Sequence, residues 1–200
     1  MPGRRKSTSL RRRVNTVLPR QRFLIVCEGK RTEPAYFMRF RAPGKVEPVI
    51  RGFGEDPLSL VTRAEQLRDE AEYRFDQVWC VFDRDDVPAQ SFNAAIASAV
   101  NKRMKVAYSN QAFELWYLLH FQDCSSPMPR QDYMAKLSEA LKHPYEKNSE
   151  TMYAELLDKQ ETAISRAGRL LERYNPRNPA DDDPSTTVHK LVQELNKHGH

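Results

Sequence analysis

The chain has few cysteines, and no two of them are spaced for metal binding. Cys27, Cys80 and Cys124 are odd in number and widely separated, so neither a disulfide framework nor a zinc site is expected. Two of the three sit inside apolar runs, where a buried free thiol is the ordinary state. Such thiols suit a reducing, cytoplasmic setting. Long hydrophobic runs are missing too: none approaches the roughly 20 residues of a membrane helix, so no membrane role is expected. The N-terminal stretch is basic but lacks the apolar core of a secretory signal, and its arginines and serines do not alternate clearly enough for an organelle transit peptide. There is no internal repeat. Leu24 stands where a P-loop ending in Gly29-Lys30 would need its first glycine. The run from Asp83 has Pro88 and Ala94 at the sixth and twelfth positions of a would-be EF-hand loop, which excludes that motif.

What is present suits one soluble globular domain with a small appendage, since 40% of the 200 residues are hydrophobic and 30% charged. The formal net charge of +5 is unevenly spread. Residues 1–22 hold eight basic residues and no acid, whereas the other 178 hold 24 basic and 27 acidic residues, a net of −3. Residues 1–21 are expected to form a disordered basic arm, too polar to pack. Its Arg4, Arg5, Lys6, Arg11, Arg12 and Arg13 are candidates for salt-dependent contacts with nucleic-acid phosphates.

The apolar patterning predicts the rest. Phe23–Cys27 and Val78–Phe82 are continuous apolar runs, typical of strands buried on both faces. Val46–Ile50 and Lys105–Tyr108 are two further strands. Helices are expected from Thr32 (a candidate N-cap) to a Pro43-Gly44 stop, from Pro57 to about Tyr73, and over 88–103, where Asp86 could serve as a cap. Strands alternating with helices imply a parallel four-stranded sheet flanked by helices, spanning 22–122. Residues 123–200 predict a helical C-terminal extension packed on it. Its expected helices are Arg130–Leu141, Thr151–Tyr174 and a last one capped by Ser185/Thr186, and a buried helix at Phe113–Phe121 precedes them.

Chemistry gathers at two strand ends. In open parallel sheets, ligands bind beyond the carboxyl ends of the strands. Glu28 follows the first apolar run, and Asp83, Asp85 and Asp86 follow the other. Carboxylates crowded on one edge repel one another unless a cation lies between them. Hard oxygen donors of this kind suit Mg²⁺ or Mn²⁺, which activate a water or steady a phosphoryl oxygen. Cations should attend an anionic substrate: Lys30 and Lys147 are candidates, whereas Arg84 must point away if its flanking aspartates bind together. His120, ending an apolar helix, is expected in the core, and the Ser185-Thr186-Thr187 turn could approach a phosphate.

An apolar strand ending in Glu-Gly (Val26-Cys27-Glu28-Gly29), followed by one ending in Asp-x-Asp (Phe82-Asp83-Arg84-Asp85), resembles the Toprim domain of topoisomerases, primases and certain nucleases. The segments IVCEGKRTEPAYF (25–37), VWCVFDRDD (78–86), VAYSNQAFELWYLLHF (106–121) and NPADDDPSTTVHKLVQEL (178–195) are similar, in this order, to the RloB-like family of bacterial defence and restriction-linked proteins. The resemblance covers about residues 23 to 195. It implies a Toprim-like fold and an Mg²⁺-dependent nuclease, acting on DNA or RNA (tRNA included), often beside an ATPase partner in anti-phage abortive infection. By position, it makes Asp83 and Asp85 the metal pair and Glu28 the acid that shares the metal or handles protons. Lys30 would assist, and Glu33, Asp86 and Glu114 would be further metal candidates. Glu114 has an alternative role as a charge at a helix N-terminus.

Two other readings stand beside this one. Asp83-x-Asp85-x-Val87 also fits the first motif of haloacid-dehalogenase-type phosphatases, where the first Asp is a nucleophile. That motif normally lies on the first strand, not the third, and would leave Glu28 without a role. The other alternative is a non-catalytic subunit that binds nucleic acid or an ATPase.

Overall fold

The computed structural model describes residues 21–40 and 46–199. The arm and the Pro43-Gly44 stop lie outside them. The two continuous apolar runs become adjacent central strands, β1 (Gln21–Cys27) and β3 (Gln77–Asp83), with β2 (Val46–Gly52) and β4 (Lys105–Asn110) outside them. These four are mutually parallel in the order β2-β1-β3-β4. The sheet is not four-stranded, however. Ser185–Thr186 forms a short fifth strand, β5, antiparallel to β4, so the sheet is mixed.

Period-two alternation explains why both faces of the strands are apolar. Phe23, Ile25, Cys27, Trp79, Val81 and Ala107 enter one core cluster. Leu24, Val26, Val78, Cys80, Phe82 and Tyr108 enter the other. The second face is covered by α2 (Pro57–Asp69) and α3 (Ala89–Asn101) through Leu60, Val61, Phe92 and Ala95. There Phe92 meets Phe82 and Tyr108 edge-on, with ring centroids 5.5 and 5.6 Å apart, a favoured aromatic geometry.

The first face is covered by α1 (Thr32–Met38), α4 (Glu114–Leu118) and α5 (Arg130–Leu141). To these are added α6 (Met152–Leu156), α7 (Gln160–Glu172) and α8 (Val188–Gly199). Val188, Leu191, Val192 and Leu195 of α8 share one core with Ile25, Trp79 and Trp116. The C-terminal helices therefore cover the sheet itself.

Three local expectations are corrected. The stretch 151–174 is not one helix: a 3₁₀ turn at Leu157–Lys159 separates α6 from α7. That turn leaves Leu157 48% exposed while Leu156 is buried, so the paired leucines are not both inside. The apolar segment 113–121 forms only a short α4, flanked by tight i→i+3 bonds such as Trp116 N–H to Phe113 O and His120 N–H to Tyr117 O. Nor does Thr32 cap α1; its hydroxyl donates to the Lys147 carbonyl at 2.6 Å. The Asp56 carboxylate does cap α2, accepting from Leu58 and Ser59 N–H. Among the described residues no helix is long and apolar enough to cross a membrane.

Phe82 is fully buried between α2 and α3. Phe82→Ala is expected to lower the free energy of unfolding by about 3–5 kcal/mol, the usual cost of emptying an aromatic core position. Urea denaturation monitored by circular dichroism measures it.

Candidate functional site

The sheet order positions the site. The loop after β1 leads to α1 on one face, and the loop after β3 leads to α3 on the other. Where neighbouring connections part to opposite faces, a crevice opens beyond the strand ends. A cleft of about 450 Å³ lies there, lined by Glu28, Glu33, Asp83, Asp85 and Glu114 together with Lys30, Arg130 and Lys147.

Each carboxylate is held differently. Glu28 follows the last residue of β1; its N–H donates to Val81 O at 2.8 Å, continuing the β1–β3 ladder. Its Oε2 accepts the Asp83 N–H at 3.0 Å, which ties the two strand ends together. Asp83, the last residue of β3, is only 6% exposed, and its Oδ2 accepts the Phe113 N–H at 3.0 Å. Asp85 sits at a φ of +32°, and its N–H donates to Gln111 O at 3.1 Å. Glu33 is tucked against Gly29, where a Cβ would lie 1.9 Å from Glu33 Oε2. The glycine after Glu28 is thus needed for close approach. Glu114 is 1% exposed; its Oε1 accepts from the Tyr145 hydroxyl at 3.2 Å, while its Oε2 has no partner.

Crowding raises proton affinity. Burial, reinforced by Glu33 and Asp85 against the Asp83 N–H and Arg130, lifts Glu28 from its ordinary 4.5 to about 7. Burial, with Glu33, Glu114 and Glu28 beside it, pushes Asp83 well above the carboxylate range. Burial and then Glu114 also raise Glu33. The main countercharge is Arg130, the first residue of α5, whose Nη1 bonds Asp85 Oδ2 and whose Nη2 lies 3.8 Å from Asp83 Oδ2. Burial works against the Arg130 charge, but Asp83, Asp85, Glu114 and Glu33 reverse this and hold its pKa above the ordinary value.

The donors are hard oxygens throughout, the set that Mg²⁺ or Mn²⁺ takes, and Glu114 Oε2 is a buried acceptor awaiting a partner. Among the described residues no three His, Cys, Asp or Glu side chains form a ready metal cage. The chemistry fits a hard divalent ion, which would have to draw the donors together.

A family model for RloB-like proteins matches residues 23–195. The chain belongs to the RloB-like family. No curated protein and no solved structure matches it.

The RloB-like chain thus brings Glu28, Lys30, Glu33, Asp83, Asp85, Glu114 and Lys147 to one cleft. Asp86 is exposed and does not line it. Nor does Asp86 cap α3, whose N-cap is Pro88 with no side-chain bond. Arg4, Arg5, Lys6, Arg11, Arg12 and Arg13 lie outside the described residues. Arg84 turns away from the cleft, as it must, with its Nε donating to Ala180 O at 3.3 Å. His120 is a core residue whose pKa burial pushes down to about 4.

The Ser185-Thr186-Thr187 turn does not line the cleft. Thr186 Oγ1 donates to Tyr108 O, and Thr187 Oγ1 accepts the Tyr108 N–H, so both hydroxyls serve the sheet. Residues 178–183 instead brace the site from behind. Asn110 Nδ2 donates to the carbonyls of Pro179, Ala180 and Asp182, and Gln111 Nε2 to Asp183 Oδ2 at 2.9 Å. The sequence reading missed this brace, and it missed Arg130 and Tyr145. Arg130 follows a Ser/Pro-rich loop and belongs to no spacing pattern, so only the packing of α5 reveals it.

The raised Glu28 pKa has a measurable sign. The folded chain holds a proton on Glu28 that the unfolded chain releases near 4.5, so this group's contribution to stability is lost as pH rises from about 4.5 to about 7. His120 and His189, both held neutral with values near 4, act in the opposite sense but cancel between variant and parent. With chelator present, Glu28→Gln should therefore gain stability relative to the parent across that window. Unfolding curves at pH 4.5, 5.5, 6.5 and 7.5 check this, and a constant difference would contradict it.

Proposed function

We propose that this RloB-like protein is a metal-dependent, Toprim-like nuclease of the cytoplasm that hydrolyses phosphodiesters in DNA or RNA, tRNA included. We place its role in anti-phage defence, beside an ATPase partner. The observation that carries the reading is the meeting of Glu28 with Asp83 and Asp85 at the switch point of the sheet, in a cleft that also holds Glu33 and Glu114. The pairing of a strand-end Glu with a neighbouring strand-end Asp-x-Asp resembles the Toprim arrangement, which supports the reading.

A divalent ion bound there would polarise a water and the phosphoryl oxygen. The chain's own groups have separate tasks. Asp83 and Asp85 would hold the cation. Glu28, whose Oε2 is bonded to the Asp83 N–H beside the metal pair, would share the metal or accept a proton. Lys30 and Lys147 line the cleft wall, where they would meet the substrate phosphates. The phosphatase reading is weaker, because its motif would lie on the third strand and it leaves Glu28, bonded to the Asp83 N–H, without a role.

The test is incubation of the pure full chain with DNA, total RNA and tRNA, in Mg²⁺, Mn²⁺ or EDTA, with and without an ATPase partner. Cleavage is expected only with the divalent ion. It should vanish in Asp83→Asn with Asp85→Asn and fall about 10²–10⁴-fold in Glu28→Gln, the usual worth of a general base. No cleavage under any condition would overturn the nuclease reading. Nucleic-acid binding that survives the double substitution without cleavage would favour a non-catalytic subunit.

A further inference from the structure

The aspartate pair already holds a cation, and that cation belongs to the protein. Arg130 is anchored at the first position of α5, directly after Pro129, and its guanidinium reaches both Asp83 and Asp85. Its side chain is 34% exposed, so one edge faces the open cleft. Asp85 Oδ2 accepts from its Nη1, and Asp83 Oδ2, which accepts the Phe113 N–H, lies 3.8 Å from its Nη2. A divalent ion held by the same two carboxylates would compete with the guanidinium, since two cations at one pair of carboxylates repel. The other cleft cations are placed differently: among the described residues neither Lys30 nor Lys147 is ion-paired to Asp83 or Asp85. The buried Glu114 Oε2 is a further oxygen of a cleft residue with no hydrogen-bond partner.

We propose that Arg130 is a resident counter-ion that trades places with the divalent ion: it holds Asp83 and Asp85 in the metal-free protein and turns to the substrate phosphate once they take the metal. The inference rests on the metal-dependent reading above. A guanidinium suits both stations, because its planar fork matches carboxylate and phosphate alike. Its tether at the start of α5 keeps it in the cleft after release.

The signature is a pair of opposite effects that a merely structural residue would not produce. Mn²⁺ binding is measured from the electron paramagnetic resonance signal of free ion, and oligonucleotide binding by fluorescence anisotropy of a labelled single strand in saturating Mn²⁺. In Arg130→Gln, Mn²⁺ should bind about fivefold more tightly, the worth of a half-exposed ion pair, while the oligonucleotide binds more weakly. Arg130→Lys, which keeps the charge but loses the fork, should fall between parent and Gln variant in both. Circular dichroism confirms that each variant is folded. If the parent binds Mn²⁺ and Arg130→Gln binds it equally or less well, the exchange is wrong while the metal reading stands. Unchanged oligonucleotide binding would also overturn the proposal. Absence of Mn²⁺ binding in every variant would overturn both it and the metal reading.

Discussion

Like charges confined to a half-buried cleft must be neutralised, and the architecture around this site is arranged to do so. The parallel ladder between β1 and β3 brings Glu28 to Asp83, and the bond from the Asp83 N–H to Glu28 fixes their spacing. Tucking Glu33 beneath Gly29, and Glu114 beneath Tyr145, adds two more acids with little access to water. Such a set is stable only if its members keep protons, gain donors or face a cation. All three solutions are present: raised proton affinity at Glu28, Glu33 and Asp83, a backbone donor from Phe113, and the Arg130 guanidinium. Each solution can be reversed, as the proposed cation binding would require.

Much of the sheet and the floor of the cleft was legible in the sequence because it rests on short-range pattern. Continuous apolar runs at 23–27 and 78–82 mark doubly covered strands, and the abrupt acids after them mark strand ends. What escaped the reading was long-range. β5 is two residues long, too short for any periodicity, and it exists because Thr186 and Thr187 bond to Tyr108 some 78 residues away in the chain. Arg130 carries no motif and enters the cleft only because α5 packs beside α4. The break at Leu157–Lys159 opens a run of five polar residues, 158–162, a gap in the apolar stripe that the one-helix expectation bridged.

The two faces of the sheet also divide labour. The α2/α3 face is a plain hydrophobic layer of aliphatic side chains and edge-to-face rings. The opposite face carries the helices that reach the cleft: α1 supplies Glu33, α4 supplies Glu114 and α5 supplies Arg130. Their aromatic side chains, Tyr36, Phe113 and Tyr117, pack against one another with centroids 5.2 to 5.9 Å apart. Rings locked in this way leave little rotational freedom, so the acids they carry are positioned by packing rather than by loops.

The brace formed by residues 178–187 has a consequence in time. Glu28, Asp83, Asp85 and Arg130 all precede it in the chain, yet the loop carrying Asp85 is supported by Asn110 and Gln111, which depend on carbonyls and a carboxylate between Pro179 and Asp183. During synthesis the acids therefore emerge well before their support. A ribosome-bound chain that has not reached Thr187 carries every acid of the cleft without its frame, so the order of translation itself delays assembly of the site.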